Sequence, residues 1–204
     1  AGGLLIDKGT IREVRTGTNV SFPEAKETLD ACGLCLAPGL IDLRAKTGEP
    51  GHEHKETLAT ASRAALSGGI TSLVVMPDTR PVIDDVALVQ FIAERGRETA
   101  FARIYPAGGL TVGLAGEAMA EIGMMAEAGA VLFTNGDWPV ASAQVMKRAM
   151  TYAASRGAIV MSRPDDRTLA GSGVMNAGEF AARHGLSGIP VEAEWIGAMR
   201  DVTL

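Results

Sequence analysis

The sequence predicts an α/β fold, an incomplete (β/α)8 barrel of the TIM type with about five βα units. From Leu40 onward, strand-like and helix-like segments alternate five times at a spacing of roughly 25 to 30 residues. The strand-like segments are near-continuous apolar runs, which is typical of parallel sheets covered on both faces. No phosphate-binding glycine loop follows any of them, which favours successive barrel units over a doubly wound sheet.

The individual elements follow from periodicity and turn residues. Residues 2–9, 10–17 and 27–39 are predicted as short strands separated by turns at Gly, Asn and Pro. The barrel strands are predicted at 40–48, 71–78, 102–111, 130–136 and 158–165, and the helices between them at 54–69, 84–100, 116–129 and 142–157. Asp84 and Ser142 are the predicted helix N-caps, and the tail from Glu179 to Leu204 is predicted to be rich in helix.

Composition excludes several classes of protein. Apolar residues make up 47% of the 204-residue chain and charged residues 21%, as in an ordinary globular protein. The net charge of −5 gives no electrostatic reason to expect nucleic acid. No apolar run is long enough to span a bilayer, and the N-terminus carries no leader pattern, so a cytoplasmic protein without a membrane partner is expected.

Cys32 and Cys35 form a C-x-x-C motif that invites a redox or zinc interpretation. In a short strand, residues three apart point to opposite faces. Because no second cysteine pair or nearby histidine completes four ligands, the structural interpretation of two small apolar residues is favoured.

Polar side chains collect at the carboxyl ends of the predicted barrel strands. They are Arg44, Lys46, Asp78, Asn135, Asp137, Arg163 and Asp165. In parallel α/β folds this edge of the sheet is where sites are built. The sequence therefore predicts the functional region here.

Several segments together resemble the dihydroorotases, a family of metal-dependent barrels in the amidohydrolase superfamily. They are APGLID at 37–42, EPG at 49–51, HKET at 54–57, AALSGGITSLVVMPDTRP at 64–81 and GAVLFTNG at 129–136. The resemblance implies that residues 1–38 form part of a small β-sandwich and that residues 39–204 form the first part of the barrel. The family's chain is roughly twice as long, so a later histidine and the catalytic aspartate are expected beyond residue 204.

The resemblance also implies where metal ligands would lie. The family's first strand ends in D-x-H-x-H-x-R-E-P-G with two zinc-binding histidines, and the matching positions here are Arg44 and Lys46. An acidic F-[ST]-D-D-G run of the family corresponds to Phe133–Asp137, so a bridging ligand position holds Asn135. A ligand histidine on the fifth strand corresponds to Arg163.

Two substrate-binding positions are changed as well. The family's arginine that grips the substrate carboxylate corresponds to Gly48, and its asparagine in M-P-N-T corresponds to Asp78. An arginine has no lone pair to donate, and a protonated lysine repels a dication. The site is therefore interpreted as degenerate, with no catalytic residue and no metal, although the family uses zinc. Arg44, Lys46 and Arg163 are expected to converge with Asp78 or Asp165 in ion pairs.

The other histidines are not interpreted as ligands. His52 and His54 follow Pro50-Gly51 and are predicted to run into the first turn of a helix, where their side chains diverge by about 200°. A packing or capping role is favoured for His54. His184 is predicted to be a surface residue near a helix C-terminus.

Two functions from different classes remain. The resemblance implies a catalytically inactive homologue that serves as a structural partner of aspartate transcarbamoylase in pyrimidine synthesis, and a homo-oligomer is expected. The alternative is a working cyclic amidohydrolase in which a carboxylated Lys46 bridges metals beside Asp78, Asp137 and Asp165, or in which a missing C-terminal half supplies the site. All-oxygen ligands would suit zinc poorly.

Overall fold

The chain divides into two compact units, Ala1–Pro38 and Gly39–Leu204. A computed structural model describes residues 2–18, 20–31 and 33–204. In the first unit, strands β1 (Gly2–Asp7) and β2 (Thr10–Thr16) pair antiparallel. Lys8 and Gly9 connect them at φ of 49° and 75°, the left-handed values of a tight hairpin turn.

The third strand, predicted at 27–39, is wrong for the described residues. Residues 27–31 and 33–39 form no strand, and Leu29, Leu34 and Leu36 are exposed there. A strand needs a paired neighbour to satisfy its backbone, and alternation alone cannot supply one. Cys35 is free and exposed, whereas Cys32 lies outside the described residues, so the interpretation of the C-x-x-C motif stays a prediction. The assignment of this unit to a β-sandwich also stays a prediction.

The second unit contains the predicted parallel sheet. Five strands lie side by side in chain order, and every pairing is parallel. They are β3 (Leu40–Ala45), β4 (Ile70–Val75), β5 (Arg103–Gly109), β6 (Leu132–Thr134) and β7 (Ile159–Val160). The helices that connect them are α1 (Leu58–Ser67), α2 (Val86–Thr99), α3 (Ile122–Glu127) and α4 (Ala143–Ser155). The prediction of five consecutive βα units is confirmed.

Both faces of the central strands β4, β5 and β6 are covered by apolar side chains. On β4, Val74 packs with Ala107 and Leu132 on one face, while Val75 joins a larger cluster with Phe133 beneath the helices on the other. Alternate strand residues point to opposite faces, so neighbouring valines enter different clusters. This two-sided burial is the reason for the unbroken apolar runs in the sequence.

The predicted starts of α2 and α3 need correction. Asp85, not Asp84, is the N-cap of α2 and accepts from the Leu88 amide at 2.9 Å. Asp84 instead accepts from the Gly113 amide at 2.6 Å. The helix predicted at 116–129 is reduced to α3, because the residues before it are drawn into a 3-10 turn at Val112–Leu114 and a bridge between Thr111 and Met119.

The tail is rich in helix, as predicted. Two elements, α5 (Arg167–Ala170) and β8 (Met175–Asn176), precede the predicted tail of residues 179–204, which itself contains α6 (Glu179–Arg183), β9 (Gly188–Ile189) and α7 (Val191–Thr203). Strands β8 and β9 pair in parallel. Helix α7 is attached to the segment after β7 by the buried carboxylate of Asp201, which accepts from the Ser162 hydroxyl. Within the described residues, no helix is both long and apolar enough to cross a membrane.

Strands β3 and β7 are the two edges of the sheet. Leu40, Ile41 and Leu43 on β3 are exposed, as is Ile159 on β7. An open edge presents unpaired backbone groups and invites pairing with another strand. The expectation that a further segment or subunit covers these edges stays a prediction.

Candidate functional site

Seven charged side chains meet at the carboxyl edge of the sheet. They come from the ends of β3, β4, β6 and β7 and from the start of α5, and we call them the ion-pair cluster: Arg44, Lys46, Asp78, Asp137, Arg163, Asp165 and Arg167. The carboxyl ends of parallel strands lie at one edge of a sheet, so residues as far apart in sequence as Arg44 and Asp137 become neighbours. The predicted convergence of Arg44, Lys46 and Arg163 is confirmed.

Asp137 lies at the centre of the ion-pair cluster, a position that sequence reasoning gave to Asp78 or Asp165. Its Oδ1 accepts from Arg44 Nη2 and its Oδ2 accepts from Lys46 Nζ. Arg163 Nη1 lies 3.7 Å from Oδ1. One carboxylate thus joins three cations, and both of its oxygens are used.

Lys46 bridges two carboxylates. Its Nζ lies 2.7 Å from Asp78 Oδ2 in addition to its contact with Asp137. The pKa of Lys46 is raised, mainly by its hydrogen bond to Asp137 and next by its hydrogen bond to Asp78. The pKa of Asp137 is lowered, mainly by its hydrogen bond to Lys46 and also by the charge of Arg44. Both groups are therefore held in their charged forms across the neutral pH range.

Arg167 and Trp138 extend the ion-pair cluster and were missed in the sequence. Arg167 lies 3.7 Å from Asp165 and donates to the main-chain oxygen of Asp137 at 3.1 Å. Its guanidinium lies over the Trp138 ring, 5.0 Å from the centroid. The sequence signal that could have located Arg167 was Asp166, a typical N-cap residue. Its carboxylate accepts from the Thr168 and Leu169 amides, so α5 begins directly after it and Arg167 lies in the first turn.

Asn135 faces away from the ion-pair cluster. Its buried side chain accepts from the Thr111 amide at 3.1 Å and donates to the Thr111 hydroxyl at 2.8 Å and to the Leu114 carbonyl at 3.3 Å. These contacts join β6 to the loop that follows β5. Whether position 135 corresponds to a ligand position of the family stays a prediction, but the asparagine now serves as a loop anchor.

Gly48 lies in the loop between β3 and α1 at φ +73°. A Cβ at this position would lie 2.8 Å from the His52 carbonyl oxygen, so glycine is required here by both conformation and space. The next residue, Glu49, is a buried carboxylate that the sequence did not single out. It accepts from the Leu58 amide at 2.8 Å and from Arg95 Nε at 2.9 Å, and so ties the loop to α1 and α2.

His52 and His54 lie in turns ahead of α1, which begins at Leu58 after the Thr57 N-cap. The prediction that they enter its first helical turn is therefore wrong. Their rings contact each other edge to face with centroids 5.9 Å apart, and Glu53 between them accepts from the Gly51 amide, which lowers its pKa. His184, at the end of α6, stacks on Phe180 at the surface, as predicted for a residue at that position.

The resemblance to dihydroorotases implies a zinc site at this edge of the sheet, and the donor set does not fit one. Zinc takes neutral imidazole, thiolate or carboxylate ligands in tetrahedral geometry. Arg44 and Arg163 have no lone pair for a metal, and Lys46 is protonated between two carboxylates. Across residues 2–18, 20–31 and 33–204, no three His, Cys, Asp or Glu side chains are grouped to hold a metal ion.

A cavity of about 280 Å³ adjoins the ion-pair cluster. Asp78 and Trp138 contribute to its wall, and its other lining residues are Thr79, Arg80, Val82, Gly113 and Leu114. The backbone that lines this cavity is strained at Leu114, a residue other than glycine that has φ +58°. The carbonyl of Leu114 accepts from Asn135 and the amide of Gly113 donates to Asp84, so polar contacts from the end of β6 and from the residue before the N-cap of α2 support this conformation.

Comparison with known proteins agrees with this architecture. The family model described as "Dihydro-orotase-like" matches residues 33–204. The dihydroorotase of Pelobacter propionicus is 43% identical over 98% of this chain and 47% of its own length. The dihydroorotase of Desulforapulum autotrophicum is 47% identical over 100% of this chain and 51% of its own length. The chain thus spans about half the length of the curated relatives that it matches.

Among solved structures, the L-hydantoinase (dihydropyrimidinase) from Arthrobacter aurescens superposes with a TM-score of 0.78 over 99% of this chain and 46% of that chain. The sequence identity is 20%, so this similarity supports the assignment of the fold and nothing further. The family model covers the parallel sheet and the ion-pair cluster completely. The chain therefore belongs to the dihydro-orotase-like family.

Proposed function

We propose that this chain is a catalytically inactive dihydroorotase-like protein of de novo pyrimidine biosynthesis that acts as a structural or regulatory partner of aspartate transcarbamoylase. One observation carries the first part of this proposal: Arg44, Lys46 and Arg163 close around Asp137 at the edge where the family resemblance puts metal ligands. The partner role rests on the resemblance to metal-ligand-deficient dihydroorotases.

The alternative, an active hydrolase with a carboxylated Lys46, has less support. Carboxylation of a lysine requires its neutral amine, because the nitrogen lone pair attacks carbon dioxide. The contacts of Lys46 with Asp137 and Asp78 raise its pKa and so disfavour the neutral form. A metal would also have to displace the two guanidinium groups that face Asp137.

Metal content is the first test. Protein purified without chelator is expected to contain far less than one zinc per chain by inductively coupled plasma mass spectrometry. The Pelobacter propionicus dihydroorotase, purified in parallel, serves as the reference. Stoichiometric zinc together with hydrolysis of dihydroorotate by the unmutated chain would refute the inactive assignment.

The partner role is tested separately. The chain is expected to co-elute with aspartate transcarbamoylase from the same source in size-exclusion chromatography of the mixed proteins, with a mass shift by light scattering. Independent elution at micromolar concentrations of both would refute the partner role and leave the inactive assignment standing.

Partial restoration of the family motif is expected to recover little activity. Arg44→His with Lys46→His supplies two ligands where a catalytic zinc needs three and an open position, so dihydroorotate turnover should stay at least about two orders of magnitude below that of an intact relative. Adding Asp78→Asn, Asn135→Asp and Arg163→His rebuilds more of the family pattern.

The further change Gly48→Arg would place a side chain at φ +73° against the His52 carbonyl. A comparison of variants with and without Gly48→Arg therefore distinguishes activity that is lost because ligands are missing from activity that is lost because the loop changes its conformation. The assay is ultraviolet absorbance of the dihydropyrimidine ring with added zinc, and circular dichroism checks folding. Turnover near that of the relative from the double histidine variant would contradict this expectation.

A further inference from the structure

The ion-pair cluster carries an excess of positive charge. Four cations face three carboxylates, although the whole chain has a formal net charge of −5. A local excess of one sign at the edge of an otherwise acidic protein attracts solutes of the opposite sign. The charge balance of the cluster therefore favours the binding of an anion over that of a cation.

The cations are also its more accessible members. The side chains of Arg44, Lys46, Arg163 and Arg167 are 46–48% exposed, whereas those of Asp78, Asp137 and Asp165 are 21%, 37% and 17% exposed. The carboxylates are less exposed and form the ion pairs with these cations. An arriving solute would meet guanidinium and ammonium groups first.

The guanidinium groups keep unused donors. A guanidinium carries five N–H groups in a rigid fork. Within the described part of the chain, the side-chain hydrogen bonds use Nη2 of Arg44, Nη1 of Arg163 and Nη2 of Arg167. The Nε of Arg167 also lies 3.7 Å from Asp165. The remaining N–H groups can bind oxygen atoms of a ligand, and bidentate contacts of this kind are the strong ones for phosphate and carboxylate.

Space for a ligand adjoins one side of the cluster, where Asp78 is the cluster member in the cavity wall and Arg80 is the lining cation. The cavity of about 280 Å³ has Asp78 and Trp138 in its wall, and Arg167 lies across the Trp138 ring. Stacking on this ring fixes the plane of the Arg167 guanidinium and so lowers the entropy lost on binding a planar or tetrahedral oxyanion.

We propose that the ion-pair cluster is a binding site for a small oxyanion with two negative charges, a phosphate group or a dicarboxylate. The proposal rests on the proposed function, because a metal at this edge would occupy the same groups. Metal content and anion binding are measured independently, so failure of one is distinguishable from failure of the other.

The test uses the full chain and inorganic phosphate, with succinate as the dicarboxylate arm and sodium chloride at matched ionic strength as the reference. Binding is followed by phosphate-dependent thermal stabilisation and by ³¹P line broadening. We expect a dissociation constant on the order of 1 mM and saturable stabilisation that chloride does not reproduce. The anion that binds more tightly, phosphate or succinate, shows whether the site takes a phosphate group or a dicarboxylate.

Three variants locate the site. Arg44→Gln and Arg163→Gln should each weaken binding at least about fivefold, because each removes charge-assisted donors. Asp165→Asn should strengthen it about threefold, because it releases Arg163 and Arg167 and increases the positive excess. Arg183→Gln is the matched control, since Arg183 is an exposed, ion-paired arginine on α6 outside the cluster, and it should bind like the parent chain.

Two outcomes would overturn the proposal. One is stabilisation by phosphate and succinate no larger than that by chloride at equal ionic strength. The other is binding that is equal in the parent chain, Arg44→Gln and Arg163→Gln. Should either arginine variant fail to fold, the opposite response expected of Asp165→Asn still decides the question.

Discussion

Gly51→Ala is expected to lower the free energy of unfolding of the second unit by more than about 3 kcal/mol. Gly51 has φ +93°, and a Cβ there would lie 2.0 Å from the Arg80 carbonyl oxygen and 2.8 Å from its carbonyl carbon. The obstacle is backbone, which cannot rotate away as a side chain can. The Arg80 amide also donates to the Pro50 carbonyl at 3.1 Å, so the change would separate two loops that touch.

These two loops follow β3 and β4 and are the segments that carry Lys46 and Asp78. A shift at Gly51 is therefore expected to disturb the ion pair between them as well as stability. Urea unfolding followed by circular dichroism gives the free energy. The anion titration described above reports on the ion-pair cluster in any fraction that remains folded.

Gly69→Ala provides the matched control. Gly69 has a similar φ of +79°, but a Cβ there would meet no atom of the described residues within 4 Å. It should cost only about 1 kcal/mol, the penalty for a side chain in left-handed backbone. Equal losses at the two positions would show that conformation alone, rather than the contact with Arg80, makes Gly51 necessary.

Asp137→Ala is expected to lower the free energy of unfolding by about 2 kcal/mol. The change leaves Arg44, Lys46 and Arg163 facing one another without their common carboxylate. The estimate is modest because Asp137 is 37% exposed and solvent screens part of the repulsion. Glu179→Ala, which breaks the exposed pair of Glu179 with Arg183 on α6, should produce no measurable change.

The contribution of Asp137 should depend on pH in a defined direction. Its pKa in the folded chain is lowered, so its stabilisation is complete above the ordinary carboxyl pKa and is lost as the pH falls through the lowered value. The pKa of Lys46 is raised, so its contribution is complete below the ordinary lysine pKa and is lost as the pH rises through the raised value.

The stability difference between the parent chain and Asp137→Ala should therefore be constant from about pH 5 to pH 9 and should shrink below about pH 4. Urea unfolding at a series of pH values and constant ionic strength measures it. A difference that grows on acidification would show that Asp137 is not held as a carboxylate by its neighbours.

The sequence by itself determined the fold class, the order of the βα units and the family. These features are local: a buried parallel strand needs an apolar run, and a covering helix needs its own periodicity, whatever lies elsewhere. The charged residues at strand ends were likewise readable, because parallel topology alone sends all carboxyl ends to one edge. The convergence of Arg44, Lys46 and Arg163 followed from that topology.

Which residues pair at that edge was decided only by the tertiary structure. Asp137 became the common partner because it extends from the end of β6 within reach of β3 and β7, whereas Asn135, two residues earlier, turns toward Thr111. Asp84 was the predicted N-cap of α2, but it accepts from the Gly113 amide, and Asp85 caps the helix instead. Such choices depend on distances between segments up to 93 residues apart in the chain, and local propensity carries no information about those distances.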